Sequence, residues 1–272
     1  MNQTILEFLK CPVCGAPLNR DEKVCRCTGA KVHCFDFAKS GYLNLSGPRG
    51  GEGDLKDAVR ARRLFLDAGY YQPLCDRVDA LLTDCGVTSF LDAGCGEGYY
   101  TNRLAMHRDG VGIDLSRAGI EVASKRAKAQ ESRAGFAVAS LFTMPVTDGA
   151  VDGVVNLFAP CAEQEFLRVL KPGGVLLLVG AGERHLMGLK QVLYDDPYLN
   201  PGRADLPKSM EQISSERLTY TVTVEGQEQI EALFSMTPYY WRTSEADHAK
   251  LKGLERLTTE VDFDILLFRK GQ

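Results

Sequence analysis

The sequence lacks any run of 18 apolar residues, and its first segment, MNQTILEFLK, contains no apolar core. A transmembrane helix needs about 20 predominantly apolar residues, and a secretory signal needs an apolar core of about 7 to 15. We therefore expect neither a membrane anchor nor export, and predict a cytoplasmic protein. An excess of positive charge is also missing, since 32 Lys and Arg stand against 36 Asp and Glu. This balance argues against non-specific coating of nucleic acid and leaves local contacts open.

Cysteine, in contrast, is abundant and unevenly distributed. Nine cysteines are present, and five of them lie within the first 34 residues: Cys11, Cys14, Cys25, Cys27 and Cys34. Disulfides persist mainly in oxidising compartments, where we do not expect this chain to reside. The cluster therefore predicts a metal site, which would stabilise a module too short to fold on an apolar core alone.

The spacing of these cysteines favours zinc. A C-x2-C knuckle and a second turn with a cysteine and a histidine supply four ligands of the kind that Zn²⁺ holds tetrahedrally. The four candidate ligands are Cys11, Cys14, Cys27 and His33. Cys25 and Cys34 are alternatives for the second half of the site, and the spacing leaves this choice open.

The remainder of the chain has the pattern of an α/β domain. From about residue 88, short apolar runs such as SFLDAG, GVGID, FAVAS, VDGVVNLF and GGVLLLVG alternate with segments of helical period. This order predicts a parallel sheet covered by helices on both faces. Near the end, RLTYTVTVEG and TTEVDFDILLFRK alternate polar and apolar residues, which predicts antiparallel strands at one edge of the sheet.

We therefore predict a doubly wound, Rossmann-like α/β domain with a small N-terminal metal-binding module. The glycine- and proline-rich stretch SGPRGGEGDLKD reads as a flexible connector. The predicted boundaries are a module at 1–45, a linker at 46–59 and the main domain at 60–272.

The segment FLDAGCGEGYYT (90–101) predicts a ligand-binding turn. Gly94, Gly96 and Gly98 follow an apolar strand and precede a helix, so the backbone can approach a ligand closely. The spacing is one residue short of the dinucleotide fingerprint, which disfavours a dehydrogenase. Asp92 would repel a phosphate and suits a cationic amino-acid group, whereas Asp114, ending the next strand, can accept both hydroxyls of a ribose. These features together favour S-adenosylmethionine.

Other interpretations of these residues remain open. The glycines could form only a tight turn, and Asp92 could be a structural hydrogen-bond acceptor. Asp114 could cap the following helix, a role that Ser116 could fill instead.

Four segments in order resemble the signatures of class I S-adenosylmethionine-dependent methyltransferases: LDAGCGEGYYT, GVGIDLS, MPVTDGAVDGVV and FLRVLKPGGVLLLV. A narrower resemblance runs from end to end. CPVCGAPL, HCFDFAKSGYLNL, RARRLFLDAGYYQPL, NLFAPC and ERHLMGLK are similar to segments of the 23S rRNA (guanine-N1)-methyltransferase family of the RlmA type. The resemblance implies a zinc ribbon that helps recognise rRNA and a domain that methylates N1 of a guanine in a 23S hairpin loop.

The resemblance also implies site residues and partners. Its zinc ligands fall on the four residues named above, and its partners are 23S rRNA and, plausibly, a second copy in a homodimer. The implied contacts with S-adenosylmethionine are Tyr71, Asp92, Gly94, Gly96, Glu97, Gly98, Asp114 and His185. Packing of Tyr71 among other aromatic rings, and a helix-start position for His185, are the alternatives.

The group that promotes the chemistry is not identified by the sequence. N1 lies on the Watson–Crick edge, so the target base must be unpaired or flipped into the pocket. Related methyltransferases place substrate-facing residues after the fourth strand, where NLFAPC makes Asn156, Phe158 and Pro160 candidates. A core position for Phe158 and a turn for Pro160 are the alternatives.

Further candidates concern RNA. Tyr42 and the YYW run at 239–241 could stack on bases, although packing is the favoured role for that run. Phosphate contacts are predicted for Arg49, Lys56, Arg60, Arg62 and Arg63.

Two alternative functions remain. One is a small-molecule methyltransferase with a structural zinc knuckle, which the acidic balance favours. The other is a non-catalytic zinc-ribbon RNA-binding protein that retains a nucleoside site.

Overall fold

The N-terminal part of the chain is a small three-stranded module. The structure is a computed structural model that describes residues 3–46, 54 and 56–272. A short helix comes first, and the three strands that follow form an antiparallel sheet in chain order. The elements are α1 (Gln3–Glu7), β1 (Leu18–Asp21), β2 (Val24–Cys27), β3 (Cys34–Asp36) and β4 (Leu43–Asn44).

The main part alternates strands and helices and ends in two long strands. A 3-10 turn, Pro238–Trp241, precedes the last helix. The elements are α2 (Lys56–Asp67), α3 (Gln72–Asp84), β5 (Ser89–Ala93), α4 (Tyr99–Leu104), β6 (Asp109–Asp114), α5 (Arg117–Gln130), β7 (Ala134–Val138), β8 (Val151–Leu157), α6 (Glu163–Val169), β9 (Leu170–Ala181), α7 (Met187–Leu193), β10 (Glu211–Glu225), α8 (Gln227–Ser235), α9 (Glu245–Ala249) and β11 (Arg256–Arg269).

The central sheet has the strand order β10-β11-β9-β8-β5-β6-β7-β4. Strands β4 to β9 pair in parallel, whereas β11 pairs antiparallel with both β9 and β10. The doubly wound fold and the antiparallel edge are therefore both confirmed. Successive connections run in opposite directions from β5, which leaves a crevice at the carboxyl ends of β5 and β8 where ligands of such folds bind. Within the described part of the chain, no helix is long and apolar enough to span a membrane.

Helix α5 shows why these residues form these elements. Ser116 accepts a hydrogen bond from the Gly119 amide and so caps the N-terminus of the helix. Ile120 and Ala123 are buried at helical spacing and pack in one cluster with Phe136 and Val138 of β7. The Ser116 cap leaves the Asp114 carboxylate available for other partners.

The N-terminal module shares its apolar core with the central sheet. Ile5, Leu6 and Leu9 of the module belong to the same buried cluster as Leu91 of β5 and Val111 of β6. Strand β4 joins the large sheet beside β7. The N-terminal module is therefore packed against the central sheet. Helix α2 begins at Lys56, inside the predicted linker, while 47–53 and 55 lie outside the described residues.

Candidate functional site

A cavity of about 1040 Å³ opens at the carboxyl ends of the central strands. One half is lined by the glycine loop, Asp92, Asp114, Tyr71 and His185. The other half is lined by residues 157–160, by the segment that follows α7 and by the region around the 3-10 turn. We call these the loop half and the aromatic half. Of the eight predicted cofactor contacts, seven line the cavity and Gly98 does not.

Each glycine of the loop is needed for a different reason. All three have positive φ angles, which L side chains rarely adopt. A Cβ on Gly94 would lie 2.6 Å from the Ala159 Cβ, so this glycine lets β5 and the loop after β8 approach each other. A Cβ on Gly98 would lie 2.6 Å from the Ala123 Cβ, so Gly98 allows α4 to pack on α5. Gly96 instead faces the cavity near Arg62.

Asp114 organises the loop through backbone hydrogen bonds. Its carboxylate accepts from the Gly96 amide at 2.9 Å and from the Ser116 amide at 2.7 Å. Burial nevertheless raises the pKa of this carboxyl, against the effect of these two amides. The residue is thus a fixed acceptor at the end of β6 that also lines the cavity.

Asp92 lies fully buried beneath the loop. The Thr101 hydroxyl donates to its carboxylate at 2.6 Å. Burial raises the pKa of Asp92 to about 7, and the nearby carboxylates of Asp114 and Glu97 add to this shift. A bound cation would reverse the effect, because an opposite charge favours the ionised carboxylate. Asp92 therefore both accepts a structural hydrogen bond and lines the cavity.

Glu97 and Tyr100 complete the loop half. The Glu97 carboxylate is buried and lies 3.5 Å from the Arg126 guanidinium, and burial raises the pKa of this carboxyl. The Tyr100 hydroxyl is buried at the cavity and has no hydrogen-bond partner among the described residues. Buried polar groups are nearly always paired, so this hydroxyl suits a ligand atom. Tyr100 is not predicted by the sequence pattern, because its only signal is its place in the segment after the glycines.

Tyr71 and His185 form a buried pair beside Phe263. The His185 Nδ1 accepts from the Asp262 amide, so the proton of the neutral ring lies on Nε2 and points to the Tyr71 hydroxyl, 3.2 Å away. Burial lowers the pKa of His185 to about 4, which keeps the ring neutral. The Tyr71 hydroxyl therefore accepts from His185 and retains its own proton for a ligand. Its ring also packs edge-on against Phe65 and Phe263.

The three candidates after β8 have different surroundings. Asn156 is buried, and its amide donates to Ala93 and Pro160 carbonyls while accepting from Arg203. This side chain shapes the loop and does not line the cavity. Phe158 is 47% exposed, lines the cavity and has a φ of 56°. Strained backbone of this kind persists where surrounding structure holds it, often at functional sites. Pro160 also lines the cavity.

The aromatic half contains residues that the sequence analysis placed in the core or missed. Trp241 is 73% exposed and lines the cavity, so a packing role for this residue was wrong. Tyr239 is buried, as expected. Phe142 and Tyr198 are exposed at the same cavity. Tyr42, in contrast, is buried in the cluster below α5, which excludes it from stacking on a base in this conformation.

A buried lysine holds the wall of the aromatic half. The Lys190 ammonium donates to the Tyr198 carbonyl at 2.8 Å and to the Asn200 side chain at 2.7 Å. It also lies 4.2 Å from the centroid of the Tyr198 ring and 5.0 Å from that of Tyr239. Burial lowers its pKa. Charge-assisted hydrogen bonds and cation–π contacts offset the cost of burying the ammonium.

The predicted phosphate contacts are dispersed. Arg62 lines the cavity and forms an ion pair with Asp54, and Arg63 forms one with Asp67. Lys56 and Arg60 are exposed on α2, and Arg49 lies outside the described residues.

The N-terminal module brings its four predicted ligands together. The donor atoms of Cys11, Cys14, Cys27 and His33 all lie within 4.8 Å of one another. The His33 Nδ1 is 3.6 Å from the Cys11 Sγ and 3.5 Å from the Cys27 Sγ. Ligands on bonds of about 2.3 Å at tetrahedral angles are about 3.8 Å apart, so the cluster fits Zn²⁺.

The two alternative cysteines lie outside this cluster. Cys25 is buried among apolar side chains, and burial raises the pKa of its thiol to about 11. Cys34 is exposed and contacts Arg26. The choice that the spacing left open is thus resolved by geometry, in favour of three cysteines and one histidine.

Comparisons with known proteins agree with this architecture. A model described as "Methyltransferase domain" matches residues 90–174, and one described as "RlmA, N-terminal", a zinc ribbon, matches residues 9–46. A solved structure from work on converting a disulfide bond into a thioacetal group during echinomycin biosynthesis is 19% identical, with a TM-score of 0.50 over 71% of this chain and 81% of that chain. Fold and site define a class I S-adenosylmethionine-dependent methyltransferase with an N-terminal zinc ribbon.

Two curated relatives narrow this class. The 23S rRNA (guanine(748)-N(1))-methyltransferase of Streptomyces fradiae is 31% identical, over 97% of this chain and 98% of the relative. A protein of Bacillus subtilis (strain 168), provisionally named a 23S rRNA (guanine-N(1)-)-methyltransferase, is 31% identical over 99% of this chain and 100% of its own. The chain belongs to the 23S rRNA (guanine-N1)-methyltransferase family.

Proposed function

We propose that this protein transfers a methyl group from S-adenosylmethionine to N1 of a guanine in a hairpin loop of 23S rRNA. One observation carries the proposal: a single cavity joins a glycine loop with buried carboxylates to a second half edged by exposed aromatic rings. The first half suits a nucleoside without phosphate, and the second suits a base flipped out of its stack. Membership of the family supplies the choice of rRNA and of N1.

The residues of the loop half fit the cofactor. Gly94 and Gly96 leave backbone exposed to the cavity, and the Tyr100 hydroxyl has no hydrogen-bond partner among the described residues. Asp114 would accept the ribose hydroxyls, and Asp92, near Glu97, would face the cationic amino-acid end. Gly98 would act by letting α4 pack. The neutral His185 would orient the Tyr71 hydroxyl as a donor toward the cofactor. When bound, the cofactor supplies an electrophilic methyl group on a sulfonium.

The aromatic half would hold the target base. Phe158 and Trp241 offer exposed rings at the cavity. Stacking on an aromatic ring contributes about 1 to 3 kcal/mol per base. Holding the base at attack distance would supply much of the rate. Asn156 would fix the loop that carries Phe158 and Pro160 and would not touch the base.

The same proposal assigns roles to the parts of the chain. Residues 1–45 would recognise rRNA, residues 60–272 would bind the cofactor and catalyse transfer, and residues 46–59 would connect them. A cytoplasmic location follows from an rRNA substrate. The homodimer stays a prediction that sedimentation of the zinc-loaded protein would check.

Methyl transfer to RNA tests the proposal directly. Zinc-loaded protein is incubated with labelled S-adenosylmethionine and 23S rRNA that lacks the mark, and the RNA is mapped by reverse transcription and mass spectrometry. We expect label in RNA and a stop at one guanine that corresponds to N1-methylguanosine. Label only in small molecules would support the alternative methyltransferase, and tight binding of rRNA without transfer would support the non-catalytic alternative.

Trp241→Ala tests the aromatic half. We expect kcat/KM for the RNA to fall about 5- to 100-fold, because a stacking surface is lost, with unchanged affinity for S-adenosylhomocysteine. Leu199→Ala is the control, since Leu199 is exposed beside the wall and does not line the cavity. Equal activity of the two variants would contradict a stacking role for Trp241.

A further inference from the structure

The carboxylates that line the cavity are divided between its two halves. Asp54, Asp92, Glu97 and Asp114 lie on the side of the glycine loop or of α2. Each has a local partner there, respectively Arg62, Thr101, Arg126 and the loop amides. Asp205 is the carboxylate among the described residues that lines the aromatic half.

Asp205 is held rigidly against the loop that follows β8. One carboxylate oxygen accepts from the Arg203 Nε at 2.7 Å. The other accepts from the Cys161 amide at 2.6 Å and, at a longer 3.4 Å, from the Arg203 Nη2. Arg203 is itself fixed, because it donates to the Asn156 side chain at 2.9 Å and to the Ala159 carbonyl at 2.8 Å. These contacts place Asp205 beside Phe158 and Pro160, the candidates for contact with the base.

The Asp205 carboxylate also keeps capacity for a ligand. Its side chain is 46% exposed, and only one contact to each carboxylate oxygen is short, at 2.6 and 2.7 Å, so the carboxylate can still accept from a ligand. Burial acts to raise the pKa of Asp205, but the Cys161 amide and Arg203 outweigh it and hold the pKa below its usual value. The group is therefore an ionised acceptor at neutral pH.

An ionised carboxylate suits one base in particular. The Watson–Crick edge of guanine presents two neighbouring donors, N1–H and the exocyclic amino group, which one carboxylate can accept together. Adenine presents an acceptor at N1 and would face the carboxylate with lone pairs opposed. With adenine the carboxylate would lose both hydrogen bonds, so the site discriminates in favour of guanine.

We propose that Asp205 binds the N1–H and amino group of the target guanine and takes the N1 proton during methyl transfer. This inference rests on the proposed function and names the base-recognising group of that site. N1 forms its bond to the methyl carbon, the electron pair of the broken sulfur–carbon bond goes to sulfur, and the N1 proton goes to the Asp205 carboxylate. Water then removes that proton when the product leaves.

The order of these events follows from acidity. N1–H of free guanine is a much weaker acid than a carboxylic acid, so transfer to Asp205 before methylation is unfavourable. The N1–H becomes strongly acidic as the methyl group bonds to nitrogen. Proton transfer to Asp205 therefore accompanies methyl transfer, where general-base catalysis contributes about 10²- to 10⁴-fold.

The test compares wild type with Asp205→Asn on two RNAs, one carrying guanine and one carrying inosine at the target position. Inosine keeps N1–H and O6 but lacks the amino group. For wild type we expect kcat/KM to be about 10- to 100-fold lower with inosine. For Asp205→Asn we expect kcat with guanine to fall at least about 100-fold, and the preference for guanine to shrink to within a few-fold. Affinity for S-adenosylhomocysteine should stay at the wild-type value, and the melting temperature should fall only slightly, because Asn keeps one oxygen acceptor and loses a half-exposed ion pair with Arg203.

Glu163→Gln is the matched control. Glu163 accepts from the Lys208 and Ser209 amides, so it anchors the same segment without lining the cavity. We expect it to keep both the activity and the preference for guanine. Wild-type kcat in Asp205→Asn, or an unchanged preference for guanine, would overturn the role of Asp205 and leave the proposed function standing. Absence of methylation by wild type would overturn both.

Discussion

Two buried residues of the cavity have pKa values shifted in opposite directions. Burial raises the pKa of Asp92 to about 7 and lowers that of His185 to about 4. Folding therefore favours the protonated form of Asp92, so its contribution to stability falls as the pH rises from about 4 to 7. Folding favours the neutral form of His185, so its contribution rises over about pH 4 to 6.5. In the cofactor-free protein the two effects largely cancel.

Substituting either residue should leave the pH dependence of the unfolding free energy that the other contributes, no longer cancelled. We expect Asp92→Asn to be a few kcal/mol more stable relative to wild type at pH 8 than at pH 4.5. For His185→Gln the difference from wild type should instead become more favourable as the pH falls through 6.5. Denaturant unfolding of the cofactor-free proteins between pH 4.5 and 8 measures both. Parallel pH profiles for wild type and the two variants would show that neither shift exists.

Residue types predicted only part of the site. Asp92, Asp114 and the loop glycines were identifiable because acidic residues at strand ends and glycines at the turn have a recognisable role in nucleoside binding. Tyr100, Arg203 and Asp205 carried no such signal. The Cys161 amide and the Asp205 carboxylate are 44 residues apart in sequence, so their contact arises only from tertiary packing.

Helix α5 supports the glycine loop from outside the motif. Gly119 lies in its first turn, and a Cβ there would lie 2.7 Å from the carbonyl oxygen of Gly96. Glycine inside a helix costs about 1 kcal/mol relative to alanine. Here the missing side chain of Gly119 lets the helix approach the loop. This close approach explains a glycine that the periodicity of α5 did not require.

The effect of Gly119→Ala on the unfolding free energy is therefore expected to have the opposite sign to that of an ordinary glycine-to-alanine substitution in a helix. We expect a loss of about 1 to 3 kcal/mol in unfolding free energy, because the added methyl group overpacks the contact. Affinity for S-adenosylhomocysteine should fall at least tenfold, as measured by calorimetry. The neighbouring Ala118→Gly should cost about 1 kcal/mol of stability and leave that affinity unchanged. A more stable Gly119→Ala protein would refute the contact.

At the level of elements, the sequence predicted the strands and helices better than the segments that connect them. The order β5 to β9 and the antiparallel β10 and β11 were readable from hydrophobic period. The wall of the aromatic half was not, because the segment between α7 and β10 has no period of its own. Its shape is fixed by Lys190 and Asn200, whose contacts no local pattern reveals.

At the scale of the whole molecule, the N-terminal module and the central sheet share one of the buried clusters. The sequence suggested a module that depends on metal and hangs from a flexible connector. In the structure, Ile5, Leu6 and Leu9 enter the buried cluster beneath β5 and β6. Composition could not show this, because the apolar residues of the module are too few to reveal which surface they cover.

Zinc removal should therefore destabilise the entire chain. Metal binding contributes folding energy directly, and the module shares its core with the sheet. We expect a chelator, or Cys14→Ser, to lower the melting temperature at least about 10 °C in a single transition. Cys34→Ser should leave it unchanged, since Cys34 lies outside the cluster. Two separate transitions in calorimetry, with the later one unaffected, would show independent units.

Strand β4 connects the zinc-binding module to the edge of the central sheet. Leu43 and Asn44 pair with Ala137 and Val138, and so cover part of the outer border of β7. Unpaired strand borders are templates for self-association. We expect a zinc-depleted chain to expose this edge of β7 and to self-associate. The N-terminal module therefore also covers part of one edge of the central sheet, so we expect removal of zinc to promote aggregation, which light scattering of the chelated protein would measure.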